Sequence, residues 1–311
     1  MDVAATPFID PEITLSGERR AEVGWRGLKT LWFNTGTLCN LTCAHCYIES
    51  SPRNDRLAYL SADEVAGYLD ELAGLGIADA EIGFTGGEPF MNPAILAMIE
   101  DSLRRGFRVL VLTNAMKPMR KCAAGLLEMR RRFGGRLALR VSVDHYTCKG
   151  HEAERGPRSW RPMIEGLVWL AQNGFTLSVA GRRLSGEGEA AARAGYARLF
   201  AAHGLALDAD DREALVLFPE MDPAAPAPEI TAKCWNILGV DPADMMCAGA
   251  RMVVKRRGAA RPTVVACTLL AYDRRFELGA RLDEARRPVR LNHLFCAQFC
   301  VLGGGSCSTP A

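Results

Sequence analysis

Residues 60–89 read LSADEVAGYLDELAGLGIADAEIGFTGGEP, a helix, a turn and a strand in succession. Ser61 with Glu64 three residues later forms a capping box, and Leu60 and Val65 bracket it as a hydrophobic staple, so a helix starts there. Val65, Leu69 and Leu72 keep one apolar face until Gly74 and Gly76 interrupt it. Ala80, Ile82 and Phe84 then alternate with the period of a strand, which runs out in Thr85-Gly86-Gly87-Glu88-Pro89. The unit repeats down the chain. Asn92-Pro93 opens a helix carrying Ile95, Leu96, Ile99 and Leu103, Gly106 stops it, and a strand of the buried type follows over 107–112. An Arg-rich helix over 118–133, a strand over 137–143, a helix over 160–173, a strand over 175–180, a helix over 189–203 and a strand over 215–218 continue the series. With the apolar stretch at 31–33, six strands alternate with helices.

Such alternation demands a parallel sheet, and right-handed crossovers leave two economical closures, a barrel or an open doubly wound sheet. Periodicity alone does not choose between them. The Pro- and Ala-rich stretch 219–228 reads as a linker, which gives a map of an N-terminal extension (1–28), a β/α unit (29–218), a linker (219–232) and a C-terminal piece (233–311).

The composition, 49% hydrophobic and 24% charged over 311 residues, is that of an ordinary globular chain. Lys and Arg number 38 against 36 Asp and Glu, so charge gives no sign of a nucleic-acid or membrane partner. Asp2, Asp10, Glu12 and Glu18 are unlike a signal peptide, and no apolar run reaches transmembrane length, so the expected location is the cytosol. In that reducing compartment eleven cysteines read as metal ligands before disulfides. Three lie at Cys39, Cys43 and Cys46, and six in the last quarter at Cys234, Cys247, Cys267, Cys296, Cys300 and Cys307; Cys122 and Cys148 stand apart. Two metal sites, one near each end, account for them most simply.

The first run has C-x3-C-x2-C spacing. A [4Fe–4S] cube takes four cysteines as a rule, and no fourth lies nearby, so one iron would keep open positions. The competing reading is zinc held by the three thiolates and His45, although His45 is wedged between two of the cysteines. The run followed by Tyr47 resembles the cluster-binding loop of the radical S-adenosylmethionine (SAM) superfamily. In that family a GGEP segment cradles the amino group of SAM, and Gly86, Gly87, Glu88 and Pro89 stand at the matching place. Thr113, Asn114, Ser142 and Asp144 are similar to the family's polar contacts to the SAM carboxylate and ribose, and Arg155 to an arginine that reaches SAM in some relatives. The strand-end groups fall on the face where α/β barrels and open α/β sheets bind ligands. For Thr113 and Ser142 a helix cap or a satisfied turn residue is an equal alternative. The resemblance implies an α/β fold with a partial (β/α)6 TIM-like barrel, and a SAM-binding [4Fe–4S] cluster that splits SAM to a hydrogen-abstracting 5′-deoxyadenosyl radical.

Near the other end, Met252-Val253-Val254, the basic turn Lys255-Arg256-Arg257-Gly258 and Val264-Val265 spell a β-hairpin flanked by Cys247 and Cys267. Cys296, Cys300 and Cys307 follow in a tail containing Leu302-Gly303-Gly304-Gly305-Ser306. This small Cys-rich piece resembles the SPASM and Twitch auxiliary-cluster domains, although Gly258 lies further from Cys267 and the run reads C-x3-C-x6-C. One auxiliary [4Fe–4S] cluster is expected on Cys247, Cys267 and two or more of Cys296, Cys300 and Cys307, with structural zinc as the alternative. Cys234 is undecided, Cys122 reads as incidental, and Cys148 is expected in a loop on the ligand-facing side.

The expectation for function is a radical SAM enzyme. A small metabolite of sugar or nucleoside type is preferred as substrate, because no N-terminal domain of a size to dock a leader peptide is evident; a peptide-modifying maturase is the alternative. A flavodoxin- or ferredoxin-type donor would supply electrons. A non-catalytic iron–sulfur or zinc protein for redox sensing is the rival from another class.

Overall fold

The computed structural model describes residues 6–183 and 186–307. Its strands are β1 (Glu22–Val23), β2 (Thr30–Asn34), β3 (Glu81–Thr85), β4 (Arg108–Thr113), β5 (Leu137–Ser142), β6 (Thr176–Arg182), β7 (Leu215–Phe218), β8 (Ala250–Val254), β9 (Thr263–Val265), β10 (Glu277–Gly279) and β11 (Val289–Arg290). Its helices are α1 (Ala62–Gly74), α2 (Ile95–Arg104), α3 (Lys117–Lys121), α4 (Ala123–Phe133), α5 (Cys148–Arg155), α6 (Trp160–Gln172), α7 (Glu189–Ala202), α8 (Cys234–Leu238) and α9 (Met246–Gly249). Both halves of the capping box ahead of α1 form: Ser61 Oγ accepts from Glu64 N, and Glu64 Oε2 from Ser61 N.

Strands β2 to β7 lie side by side in chain order, each parallel to the next. Because no strand order reverses, every right-handed crossover turns the same way and the helices collect on one face. That is the wall of a partial barrel, and it decides against the doubly wound sheet. The predicted hairpin, β8 with β9, extends this wall beyond β2, since β8 pairs parallel to β2 and β9 antiparallel to β8. Trp32 is fully buried on β2 opposite Gly83 of β3. A Cβ at Gly83 would stand 2.3 Å from the Trp32 ring, so glycine there makes room for the indole. On the other face Phe33 stacks on Phe84 at 5.7 Å under Tyr68 of α1.

Three local expectations change. The Arg-rich helix over 118–133 is two helices, broken at Cys122; α3 packs against α6 and α4 against α2, two directions that one straight helix does not serve. Cys148 is not in a loop. It opens α5, where the Thr147 side chain caps Gly150 N, and this polar helix, CKGHEAER, carries no apolar stripe for periodicity to find. The N-terminal extension also contributes β1, which pairs with β11, but two residues are too few to read as a strand.

Candidate active site

Loop 35–51 emerges from β2 and is pinned from several sides. Cys39 N donates to Ser51 O at 3.0 Å, Ala44 N to Glu154 O of α5 at 2.8 Å, and Arg182 Nη2 of β6 to His45 O at 2.8 Å. Two backbone N–H groups already point at the thiols: Leu41 N lies 3.4 Å from Cys39 Sγ and Ser50 N 3.3 Å from Cys46 Sγ. His45 Nδ1 sits 2.7 Å from Glu154 Oε2, so α5 orients the ring. Among the described residues no three His, Cys, Asp or Glu side chains are grouped to hold a single metal ion.

The three thiols open into one pocket at the C-terminal ends of the parallel strands. Tyr47, Gly86, Gly87, Thr113, Asn114, Ser142, Asp144 and Arg155 share its wall. The alternation along the strands adds Thr85, Leu112, Arg140, Ala180, Arg182 and Phe218, which sequence reading did not single out.

The glycine pair is fitted to loop 35–51. A Cβ on Gly87 would stand 2.2 Å from Leu38 O, and one on Gly86 2.5 Å from Gly36 O. Gly87 N and Glu88 N instead donate to Gly36 O and Leu38 O. Glu88 and Pro89 stand behind the pocket wall, not in it. Glu88 is buried and accepts from Thr113 Oγ1 at 2.8 Å, Asn114 N at 2.8 Å and Phe90 N at 3.3 Å, tying the end of β3 to the end of β4. Burial outweighs these donors and raises its carboxyl to about 7. Thr113 thus acts as a turn residue, and its hydroxyl also accepts from Ala115 N. Asn114 Nδ2 donates to Asn40 Oδ1 of loop 35–51 at 3.0 Å.

Asp144 and Arg155 face the pocket as a buried pair, with Arg155 Nε 2.8 Å from Asp144 Oδ2 and Arg182 Nε 3.5 Å from Asp144 Oδ1. Burial alone would raise the Asp144 carboxyl, but the two guanidinium groups prevail and lower it. Burial likewise pushes the Cys39 thiol up to about 12 and raises Cys43. Such thiols lose their protons when metal arrives.

A second cavity lies in the C-terminal piece. Cys247, Cys267, Cys296 and Cys300 all line it, with Met245, Met246, Leu269, Leu270, Val289, Leu291 and Phe295 between them. Cys296 and Cys300 share one π-helical turn. Cys307 stands outside this wall: its Sγ accepts from Thr268 Oγ1 at 3.4 Å and its carbonyl from Arg140 Nη1 at 3.1 Å, inside the barrel. Cys234, on α8, stays beside Thr231.

The protein is thus a parallel-strand partial barrel with a three-thiol loop at the C-terminal ends of its strands. The Radical SAM superfamily matches residues 33–189, half of the chain, and the chain belongs to that superfamily. It is therefore a radical SAM enzyme, and the superfamily's [4Fe–4S] cluster and SAM are its cofactors. The chain is 32% identical over 143 residues to the antilisterial bacteriocin subtilosin biosynthesis protein AlbA of Bacillus subtilis (strain 168), a match covering 46% of this chain and 30% of that one. It is 28% identical over 137 residues to the mycofactocin maturase MftC of Mycobacterium ulcerans (strain Agy99), covering 44% and 35%. The matches thus span about a third of these relatives' length. The crystal structure of Streptococcus suis SuiB bound to precursor peptide SuiA shares the fold, with a TM-score of 0.56 at 12% identity, covering 89% of this chain and 66% of that one. Among the described residues no helix is long and apolar enough to cross a membrane.

Proposed function

We propose that this enzyme modifies a peptide, with the SAM-binding cluster on Cys39, Cys43 and Cys46 and one auxiliary [4Fe–4S] cluster on Cys247, Cys267, Cys296 and Cys300. The carrying observation is the pairing of an open three-thiol pocket with an apolar four-thiol cavity in one chain. A maturase, a bacteriocin biosynthesis protein and a peptide-bound enzyme among the similar proteins support a peptide over the sugar or nucleoside expected from sequence. The lining of the four-thiol cavity supports taking Cys296 and Cys300 from the expected auxiliary set, and we leave Cys307 outside it. We keep the division into 29–218 and 233–311 as a functional one, each part carrying one thiol set, and a flavodoxin- or ferredoxin-type protein as electron donor.

When bound, the reduced cluster and SAM supply an electron and a hydrogen-abstracting radical. The chain's own residues position and shield. Gly86 and Gly87 let the strand end lie against the cluster loop, and Glu88 fixes that end to Thr113 and Asn114. Arg155 and Arg182 keep Asp144 ionised in the pocket wall. Tyr47, Ser142 and Asp144 are the groups we assign to SAM, with Arg155 holding Asp144 in place. Leu112, Ala180 and Phe218 supply apolar surface that keeps water from the reacting centre.

The test is anoxic turnover with SAM and a strong reductant, offering precursor peptides encoded beside the gene and, separately, sugars and nucleosides. A mass change in a peptide, matched by 5′-deoxyadenosine, is expected. Coupled turnover on a sugar or nucleoside alone would return the substrate to the small-molecule class.

A further inference from the structure

Ser50 lies where loop 35–51 turns back beneath its own thiols. Its backbone N–H donates to Cys46 Sγ at 3.3 Å, and the next residue, Ser51, accepts from Cys39 N, so Ser50 sits between two of the three cysteines. The residue is 4% exposed and belongs to the pocket wall. Its hydroxyl is shielded from solvent and has no hydrogen-bond partner. A buried hydroxyl left in that state costs on the order of 1–3 kcal/mol, so it calls for a partner that the protein itself does not provide.

Sulfur is the partner this loop already serves through its backbone. The loop already aims the N–H groups of Leu41 and Ser50 at thiol sulfurs, and a hydroxyl beside them extends the same pattern. We propose that the Ser50 hydroxyl donates a hydrogen bond to a sulfur of the cluster held by Cys39, Cys43 and Cys46 and thereby raises its reduction potential. This rests on the assignment of those three cysteines made above. The physical reason is electrostatic: reduction adds negative charge to the sulfurs, so a donor stabilises the reduced cluster more than the oxidised one. Ser50 is a positioning residue that acts through the cluster.

The experiment is an anoxic redox titration of the full chain, followed by the EPR signal that changes when SAM is added, on the wild type and on Ser50→Ala, Ser50→Val and Ser50→Thr. Thr and Val have nearly the same shape and differ in the hydroxyl, so their comparison separates hydrogen bonding from packing. The midpoint is expected to move to more negative potential in Ser50→Ala and Ser50→Val and to stay near wild type in Ser50→Thr, at equal iron content. Equal midpoints in all four proteins, or a Thr variant that shifts as far as Val, would overturn the proposal. Cys43→Ala serves as the independent control. Should it keep the SAM-responsive signal, the assignment of the three cysteines fails whatever Ser50 does; should it lose the signal while the Ser50 midpoints coincide, only this inference fails.

Discussion

The two thiol sites are made of the same element and built in opposite ways. At the barrel mouth three cysteines sit on a loop beside serine, asparagine, aspartate and three arginines, in a pocket at the C-terminal ends of the parallel strands. In the C-terminal cavity four cysteines come from α9, the end of the hairpin and one π-helical turn, and methionine, leucine, valine and phenylalanine fill the rest. A site with three protein ligands and polar walls leaves a corner for a polar cofactor. A site with four ligands and apolar walls completes its own coordination and shuts water out, as closed structural metal sites do. The difference in wall chemistry and thiol number is what supports the proposal that the barrel-mouth site is the reacting one.

That contrast is broken most directly at Cys43. Cys43→Ala is expected to abolish 5′-deoxyadenosine formation, a loss of at least about 100-fold, while about four irons per chain remain in the other site. Loss of all iron would mean that the two sites assemble as one unit. The counterpart is Cys267→Ser or Cys300→Ser, which should lower iron from about eight to about four per chain and leave the SAM-responsive EPR signal in place. Cys307→Ser, outside the cavity wall, should keep about eight. If Cys307→Ser loses iron as Cys300→Ser does, the four-thiol assignment is wrong and the closed site has a different membership.

The polar wall of the open site is sharpened at Arg155. Arg155→Met leaves Asp144 buried with Arg182 alone, and breaking a buried pair from one side costs about 3–5 kcal/mol. Thermal unfolding should register that loss. Removing both partners, in Asp144→Leu with Arg155→Met, should recover part of it, because no charge is then stranded. A double variant as unstable as the sum of the singles would show that the two residues do not act as a pair.

Much of this is legible in the amino-acid sequence. The six strands came from alternation and from glycine stops such as Gly74, Gly76 and Gly106, because a parallel wall needs apolar strands separated by amphipathic helices. Tyr47, Gly86, Gly87, Thr113, Asn114, Ser142, Asp144 and Arg155, picked out with the three cysteines, share one pocket because strand ends of a parallel barrel converge. Ser50, Arg140 and Arg182 were not legible. Arg140 and Arg182 sit at inward positions of strands whose inward side depends on register, and Ser50 gains its meaning from a loop folding back on its own thiols. The pairing of β8 with β2 was hidden too, since nothing local in either strand names so distant a neighbour. Glu88 was legible as part of a motif, but its place behind the wall follows from Asn114 N and Thr113 Oγ1 on the next strand.

Glu88 also links the open site to stability through pH. Its carboxyl is raised from 4.5 to about 7, so the folded chain holds a proton that the unfolded chain releases across that window. Stability therefore falls as pH rises from about 4.5 to about 7 and levels off above, by about 3 kcal/mol at 1.36 kcal/mol per pKa unit. Glu88→Gln cannot ionise, and this part of the pH dependence should vanish, read as the change in urea midpoint between about pH 5 and about pH 8 under anoxic conditions. Of the three partners of Glu88 only the Thr113 hydroxyl can also accept, and it already accepts from Ala115 N, so the two N–H groups of the amide are poorly matched there and the variant should be less stable than wild type in absolute terms even as its slope flattens. A wild-type slope that survives the substitution would place the titrating group elsewhere, and Glu88 would then be a carboxylate that its three donors hold ionised throughout.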